Sequence, residues 1–449
     1  MSIESPESPE TQGIQTPTGD VVLTQPTQPT PPAKYGFLIN RNFALLAFGQ
    51  AISNMGDFVY STTLLIWVFL LTHSAVAVSG VLIAQYTPVF LLGPVAGVFV
   101  DRWNRRRTMI VADIARGIAA LLPLIVPIAL RLPAIYASVF IIASFSRFFT
   151  PAKSAVLQVI VPDKQQPQAA SISQATMALS FIVGPALASP LYFVVGPFVA
   201  IVINAVSYGV SALFLIAIRA SREALQPSLT VTANGERARG GIGSVMRELG
   251  AGFSFVGRTR VLLMVTLLAL IAMLGAGALN ALDIVFVSRN LHVNGALYGP
   301  LAAVGGLGAL IGAIGAGLLA RKLPPRRMLT ISVFLTGLGI LIYSFQTIYV
   351  AALLFNFLAC LPQGGIDVGF GPLLIRSTPR TMMGRVQSVI DTAMFGISLL
   401  SIALAGFFGQ FIPVNVIFAI GGILILVAGI FGWFAIPEPP VAVNAVDTL

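Results

Sequence analysis

The chain has 449 residues, of which only 9% are charged while 56% are hydrophobic. Soluble domains usually carry about 25% charged residues, so these proportions exclude an ordinary cytosolic enzyme and a nucleic-acid-binding protein. The formal net charge is +10, but the arginines stand in short runs between apolar stretches. That arrangement is typical of membrane topology. The single cysteine, Cys360, excludes an intramolecular disulfide and a multi-cysteine metal site.

The first residues of the chain are rich in Pro, Thr, Glu and Gln and have no apolar period. Such a segment cannot bury enough apolar surface to offset the entropy of ordering, so we expect a disordered cytoplasmic tail over residues 1–35. Its early charges are acidic, and no apolar core with a small-residue cleavage site follows. We therefore do not expect a signal peptide.

Twelve apolar stretches follow this tail, and each is long enough to cross a bilayer as a helix of about 20 residues. We therefore predict an all-α membrane protein with twelve transmembrane helices. The predicted spans are 42–71, 76–100, 108–129, 133–160, 169–192, 196–218, 261–287, 296–320, 328–345, 348–375, 386–410 and 413–435.

The basic residues of the loops fall almost entirely on one side of these spans. One alternate set of loops holds 21 lysines and arginines, and the other holds only Arg131 and Arg289. Because basic loops stay in the cytoplasm, this ratio places both termini on the cytoplasmic side of the cell membrane.

The longest polar interval between spans divides them into two sets of six. We predict an N-terminal bundle over 36–219, a cytoplasmic linker over 220–258, a C-terminal bundle over 259–436 and a cytoplasmic tail over 437–449. A shift of 220 residues aligns the loop Gly97-x-x-x-Asp101-Arg102-x-x-Arg105-Arg106-Arg107 with Gly317-x-x-x-Arg321-Lys322-x-x-Pro325-Arg326-Arg327. A shift of 226 aligns Asn54-x-x-Asp57 with Asn280-x-x-Asp283. These matches indicate a duplication, and duplicated halves that rock about a central cavity are a transporter design.

The arginine loop resembles the loop 2–3 signature of the major facilitator superfamily. Together with Gly56-Asp57, Gly93-Pro94 and Ala112-Asp113-Ile-Ala-Arg116, it resembles the drug:proton antiporter branch that contains macrolide-efflux proteins and the enterobactin exporter. The resemblance implies two pseudo-symmetric six-helix bundles, with spans 1, 4, 7 and 10 lining the cavity. The cavity candidates are then Asn54, Arg147, Asn280 and Gln363, together with the acids of these spans.

The arginine loop is also the predicted gate, formed by Gly97, Asp101, Arg102, Arg105, Arg106 and Arg107. Asp101 at the end of the second span can accept hydrogen bonds from a neighbouring helix N-terminus, such as the start of the eleventh span near Gly384, and can pair with Arg105 or Arg106. Gly97 allows close helix approach. The alternative is that the arginines only set orientation. The second copy has Arg321 at the position that matches Asp101, so it lacks the acid that a matching latch would need.

Asp57, Asp283 and Asp367 fall inside apolar spans, where an ionised carboxylate is costly and usually marks an ion or substrate route. They are the predicted proton-coupling residues. Each has a structural alternative: an ion pair of Asp57 with Arg147, solvation of Asp283 near the outer end, and water reaching Asp367 among glycines. Arg147 either holds an anionic substrate, modulates a carboxylate or is structural.

Three further features have mainly structural interpretations. Asp113 and Arg116 lie three residues apart and predict a local pair, and Asp391 favours its helix N-terminus. Gly184-Pro185 in the fifth span partly resembles the antiporter motif of drug exporters, which implies a helix bend and export rather than import.

Together these features predict proton-coupled export of an amphipathic small molecule such as a drug, macrolide or siderophore-like metabolite. Its partners are the substrate, protons and the lipid bilayer, and we expect a monomer without cofactor, metal or nucleic acid. The sequence has no Gly-Lys dipeptide and its two histidines lie at outer span ends, which excludes a Walker loop and a His-based enzyme site. A lipid or lysophospholipid flippase, or a transport-inactive sensor on the same fold, is the alternative.

The topology is tested by a reporter inserted after Thr72, in the first loop of the arginine-poor set. We expect it to lie outside the cytoplasm, because no basic residue retains that loop. Accessibility to a membrane-impermeant reagent measures this, with an insertion after Lys164 as the cytoplasmic control. A cytoplasmic signal after Thr72 would reverse the assigned orientation.

Overall fold

The structure is a computed structural model that describes residues 39–100, 102–219, 242–379 and 381–437. The predicted N-terminal tail, most of the predicted C-terminal tail, part of the predicted linker and Asp101 lie outside these ranges. Within them the chain is all-α, with fourteen α-helices joined by short turns and no β-strand. The helices are α1 Arg41–Thr72, α2 Ala75–Val100, α3 Arg105–Ile125, α4 Arg131–Ile160, α5 Gln166–Val195, α6 Pro197–Ala217, α7 Ile242–Arg258, α8 Arg260–Arg289, α9 Tyr298–Leu319, α10 Pro325–Ser344, α11 Tyr349–Cys360, α12 Gln363–Ser377, α13 Met383–Phe408 and α14 Val414–Ala435.

Twelve helical segments are long and apolar enough to cross a membrane, which confirms the predicted number of spans. The tenth span, Tyr349–Ser377, is built from α11 and α12. It is interrupted beside Pro362, which lacks the N–H that would continue the helical ladder. The third span was predicted to reach residue 129 but ends at Ile125, because Val126 is extended before Pro127.

The six helices α1–α6 pack together as a first bundle, and α8–α14 form a second. Two helix pairs join the bundles: α5 packs on α9, and α2 packs on α13. Small residues allow the close approach, as at Gly299, whose N–H donates to Ser189 Oγ over 2.9 Å. α7 lies within the predicted linker and packs on α13, with Gly252 facing Arg385 and Val389.

The two bundles share one hydrophobic core at only one end of the molecule. We call the end that carries Arg105 and Arg326 the arginine-rich end. At the opposite end, Phe69 of α1 and Phe286 of α8 belong to one continuous buried cluster. There Arg289 also donates a hydrogen bond to the carbonyl of His73, over 2.6 Å.

At the arginine-rich end each bundle has cores of its own. The first bundle's cluster includes Met109 and Ala152, and the second bundle's clusters include Leu329 and Val386. Among the described residues, one shared core thus joins the halves at the opposite end, and no shared core joins them at the arginine-rich end.

The contact at Gly299 is tested by Gly299→Ala. A Cβ there would overlap the carbonyl oxygen of Pro185 and Ser189 Oγ, so we expect a loss of about 1–3 kcal/mol of stability from overpacking. Gly315→Ala on the same helix is the control, because a Cβ there meets nothing within 4 Å. It should be neutral or gain roughly 0.5–1 kcal/mol from helix propensity. Thermal unfolding in detergent compares them, and equal melting temperatures would contradict the close packing.

Candidate functional site: a cavity beside a buried charge cluster

A cavity of about 550 Å³ lies between α1, α2, α4 and α5. Its lining residues fall within 50–61 of α1, 81–89 of α2, 139–153 of α4 and 173–177 of α5, with Arg116 of α3 and Phe395 of α13. Tyr60, Val81 and Val139 belong both to this wall and to the shared core, which bounds the cavity toward the opposite end. On α4 and α5 the lining extends toward the arginine-rich end, away from the shared core.

The cavity wall is mostly apolar and aromatic, with polar groups at a few positions. Nearly all of it comes from the first bundle, and the second bundle contributes Phe395 of α13. Its larger apolar and aromatic side chains include Phe58, Tyr86, Val89, Ile142, Met177 and Phe395. This composition is typical of a small-molecule site.

A cluster of charged groups borders the cavity where α1, α3 and α6 meet. Arg116 pairs with Asp113, and both side chains are buried, with 4% and 0% exposure. The Arg116 guanidinium lies over the ring of Phe149 at 4.4 Å and over that of Tyr208 at 4.6 Å. Tyr208 in turn donates its hydroxyl hydrogen to Asp57 Oδ1. One carboxyl group therefore pairs directly with the guanidinium, and a second is linked to it through Tyr208.

The charge of this cluster depends on protonation. With both carboxylates ionised, Asp57, Asp113 and Arg116 sum to one negative charge. Excess negative charge in a low-dielectric interior is costly, and either a bound proton or a cation on the same wall, such as Lys153, can offset it. The arrangement is chemically suited to take up and release one proton.

The second half lacks this cluster. The shift of 220 residues that aligns the arginine loops places Asp113 on Val333 and Arg116 on Thr336. Asp283, the counterpart of Asp57, also accepts a hydrogen bond from a tyrosine, Tyr343, over 3.0 Å. The two acids of the duplicated Asn-x-x-Asp motifs thus share a tyrosine donor, and they differ in that the tyrosine bound to Asp57 also contacts the buried Arg116.

The structure separates the predicted cavity residues into two groups. Asn54, Asp57 and Arg147 line the cavity. Asn280 is exposed and donates to the carbonyl of Ala276 on its own helix, over 3.2 Å. Gln363 and Asp367 are exposed, and with Asn280 and Asp283 they are not among the residues that line this cavity. Of the four helices expected to line the cavity, α1 and α4 do so among the described residues.

The contacts of three of the acids can be compared with the structural alternatives predicted for them. In the described residues no ion pair joins Asp57 to Arg147, and the cation beside Asp57 is Arg116. Asp283 is hydrogen-bonded rather than simply solvated. Asp391 accepts a hydrogen bond from Gln387 over 2.8 Å.

The arginine loop makes the same contact in both halves. Arg106 donates to the carbonyls of Leu215 and Ile216 at the end of α6, and Arg326 donates to the carbonyl of Trp433 at the end of α14. A cation at these carbonyls satisfies unpaired acceptors and interacts favourably with the helix dipole. The predicted duplication is thus reproduced in three-dimensional contacts.

Other parts of the predicted gate are arranged differently. Arg106 binds helix carbonyls. The predicted pairing of Asp101 with Arg105 or Arg106 involves a residue outside the described ranges and stays a prediction. Arg102 and Arg107 are exposed, and Arg105 is half-buried. Gly97 was expected to allow close helix approach, but a Cβ there would meet no described atom within 4 Å.

The Gly184-Pro185 pair lies at two helix contacts. Gly184 faces Phe58 of α1, and the carbonyl of Pro185 faces Gly299 of α9 in the other bundle. The pair therefore lies where a bend in α5 would change both the cavity wall and the contact between halves.

Sequence reasoning missed part of this site. Asp113 and Arg116 were predicted as a local pair, and the pair exists, but their link to Asp57 was not foreseen. Tyr208 and Lys153 were not singled out. The spacing of Asp113 and Arg116 inside an apolar span was the one signal that could have suggested more than local pairing.

Two six-helix bundles around a cavity open toward one end define a transporter of the major facilitator superfamily. A family model described as transmembrane secretion effector matches residues 33–445, and the chain belongs to that family. It is a multi-pass membrane protein that transports small molecules, not an enzyme, and the predicted resemblance is confirmed.

Relatives and solved structures agree with this assignment. Macrolide efflux protein A of Streptococcus pyogenes is 25% identical over 386 residues, covering 84% of this chain and 92% of its own. The putative bacilysin exporter BacE of Bacillus subtilis is 34% identical over 180 residues, covering 40% and 44%. The crystal structure of the nucleoside transporter NupG superposes with a TM-score of 0.70 at 11% identity, over 88% of this chain and 99% of that one, which shows the fold.

The buried pair is tested by Arg116→Gln and by the double variant Asp113→Asn/Arg116→Gln. The single change leaves buried Asp113 without its cation, so we expect a loss of about 3–5 kcal/mol. The double variant removes both charges and should recover much of that loss. Exposed Arg107→Gln is the control and should stay within about 0.5 kcal/mol of the wild type. Chemical unfolding in detergent measures all three, and a single variant as stable as the double would show that the pair is not coupled.

Proposed function

We propose that this protein exports an amphipathic small molecule across the cell membrane in exchange for protons, by alternating access, with both termini in the cytoplasm. The observation that carries the proposal is the Asp57–Tyr208–Arg116–Asp113 cluster at the wall of the cavity. The named functions of the relatives, macrolide efflux and putative bacilysin export, support the outward direction.

The proton is bound at Asp57 because this carboxyl both lines the cavity and touches the buried cluster. When the cavity faces the cytoplasm, water and substrate reach Asp57 and the proton leaves. When the halves rock and the opposite end opens, the emptied carboxylate is reloaded from outside. Protonation removes the excess negative charge of the cluster, which makes it easier to enclose between the bundles.

The rocking motion uses features of the described fold. The shared core at the opposite end must separate, while the separate cores at the arginine-rich end come together. The α5–α9 and α2–α13 contacts persist as the axis of movement, since small residues let these helices pivot at close distance. Asp283 and Asp367 are secondary proton-coupling candidates in this scheme.

The proton site is tested by Asp57→Asn in proteoliposomes loaded with a pH indicator. Removing one charge-assisted interaction corresponds to about 1.5–3 kcal/mol, so proton flux driven by a macrolide or an amphipathic dye should fall by about tenfold or more. Asp163→Asn, at an exposed turn outside the cavity, is the control and should transport normally.

The same vesicles separate the remaining possibilities. Loss of flux in Asp283→Asn or Asp367→Asn, with Asp57→Asn unaffected, would move the proton site to the second bundle. Efflux that is insensitive to a protonophore would remove proton coupling. Translocation of a fluorescent phospholipid without proton flux would support the flippase instead.

A further inference from the structure

Two basic side chains of α4 face the cavity without an acidic partner. Arg147 and Lys153 both line it, six residues apart, or about 9 Å along the helix axis. Among the described residues neither forms an ion pair, and Arg147 Nε is buried without a hydrogen-bond partner. Cations inside an apolar wall are costly unless they are compensated. This wall is therefore complementary to an anionic group.

Polar donors surround the Lys153 end of this wall. A recess of about 30 Å³ adjoins the main cavity there, and Gln50, Asn54, Lys153 and Ser173 line both. Amide and hydroxyl groups beside an ammonium can donate hydrogen bonds to carboxylate or phosphate oxygens. The recess is therefore suited to bind an acidic group of a ligand.

The charge cluster that contains Asp57 favours a cationic group of a ligand instead. Asp57 lines the same cavity, and its neighbours Asp113 and Arg116 leave the cluster with one excess negative charge when both acids are ionised. An ammonium group on a ligand would compensate it as a proton does. The two groups would compete for Asp57, and such competition exchanges substrate for a proton.

We infer that the transported substrate is a zwitterionic amphipathic molecule, with an ammonium group directed to Asp57, an acidic group held by Arg147 and Lys153, and an apolar or aromatic body. The inference rests on the proposed function and specifies its substrate class. A purely cationic ligand leaves the two α4 cations uncompensated, and a purely anionic ligand does not compete with the proton. The aromatic wall, with Phe58, Tyr86 and Phe395, receives the body.

Three matched probes test the charge requirement: the dipeptide phenylalanyl-phenylalanine, its N-acetyl derivative and its C-terminal amide. They share one body and differ in one charged group each. Binding to the purified full-length protein is measured by calorimetry in detergent. The dipeptide should bind at least about tenfold more tightly than either derivative, since each lost charge-assisted contact corresponds to about that factor.

Variants assign each preference to its side chains. Arg147→Gln/Lys153→Gln should abolish the preference for the dipeptide over the amide but keep that over the N-acetyl derivative. Asp57→Asn should abolish the preference for the dipeptide over the N-acetyl derivative but keep the preference over the amide. Arg147→Lys retains the charge and should retain binding, and Lys164→Gln is the control for loss of a basic residue outside the cavity. Melting temperatures confirm that each variant is folded.

Equal binding of the three probes, binding of none, or an unchanged dipeptide preference in the Arg147→Gln/Lys153→Gln variant would overturn the inference. The proposed function is judged by a different measurement. Proton flux driven by the macrolide or dye that depends on Asp57 would stand even if the dipeptide preference were absent. Absence of proton flux with every compound would overturn the proposed function, and the binding preferences would still report on the charges of the cavity.

Discussion

The packing of the first bundle depends on the contacts that the Arg116 guanidinium makes inside it. It pairs with Asp113 on its own helix α3, lies over Phe149 of α4 and Tyr208 of α6, and reaches Asp57 of α1 through the Tyr208 hydroxyl. A bilayer interior does not solvate a charge, so these groups must compensate one another. Four helices are thereby linked through one cation. A change in the protonation of Asp57 alters an interaction that reaches all four.

The second constraint is the unequal packing of the two bundles along the membrane normal. At the opposite end they share one core through residues such as Phe69 and Phe286, while at the arginine-rich end each bundle has its own. The cavity is located where that shared packing stops. This also explains why its wall belongs mostly to the first bundle. Phe395 of α13 lines it because α13 remains packed on α2.

The two halves share a scaffold and differ in chemistry. Arg106 and Arg326 bind the carbonyls at the ends of α6 and α14 in the same way, so both halves make the loop contact. The buried pair is present in the first half alone, because Val333 and Thr336 occupy the matching positions of the second. A symmetric movement of two similar bundles can therefore act on a cavity whose charged groups come from one of them.

Sequence by itself determined the membrane class, the twelve spans, the division into halves and the family, because each depends on local hydropathy, charge counts or a contiguous motif. It also placed Asn54, Asp57 and Arg147 in the cavity, since rare polar residues in apolar spans avoid lipid. The end of the third span before Pro127 was shifted and the interruption inside the tenth span beside Pro362 was missed, because proline overrides hydropathy at both places.

Only the tertiary structure decided which charges meet. Asp57 and Tyr208 are 151 residues apart, and no spacing rule joins them. The pairing of Asp113 with Arg116 was visible at three residues' separation, but its contact with the Tyr208 ring was not. The absence of Asn280 and Gln363 from the cavity wall also depends on how the helices pack together. Hydropathy specifies that a helix crosses the membrane, whereas the packing of neighbouring helices determines which of its side chains face the same cavity.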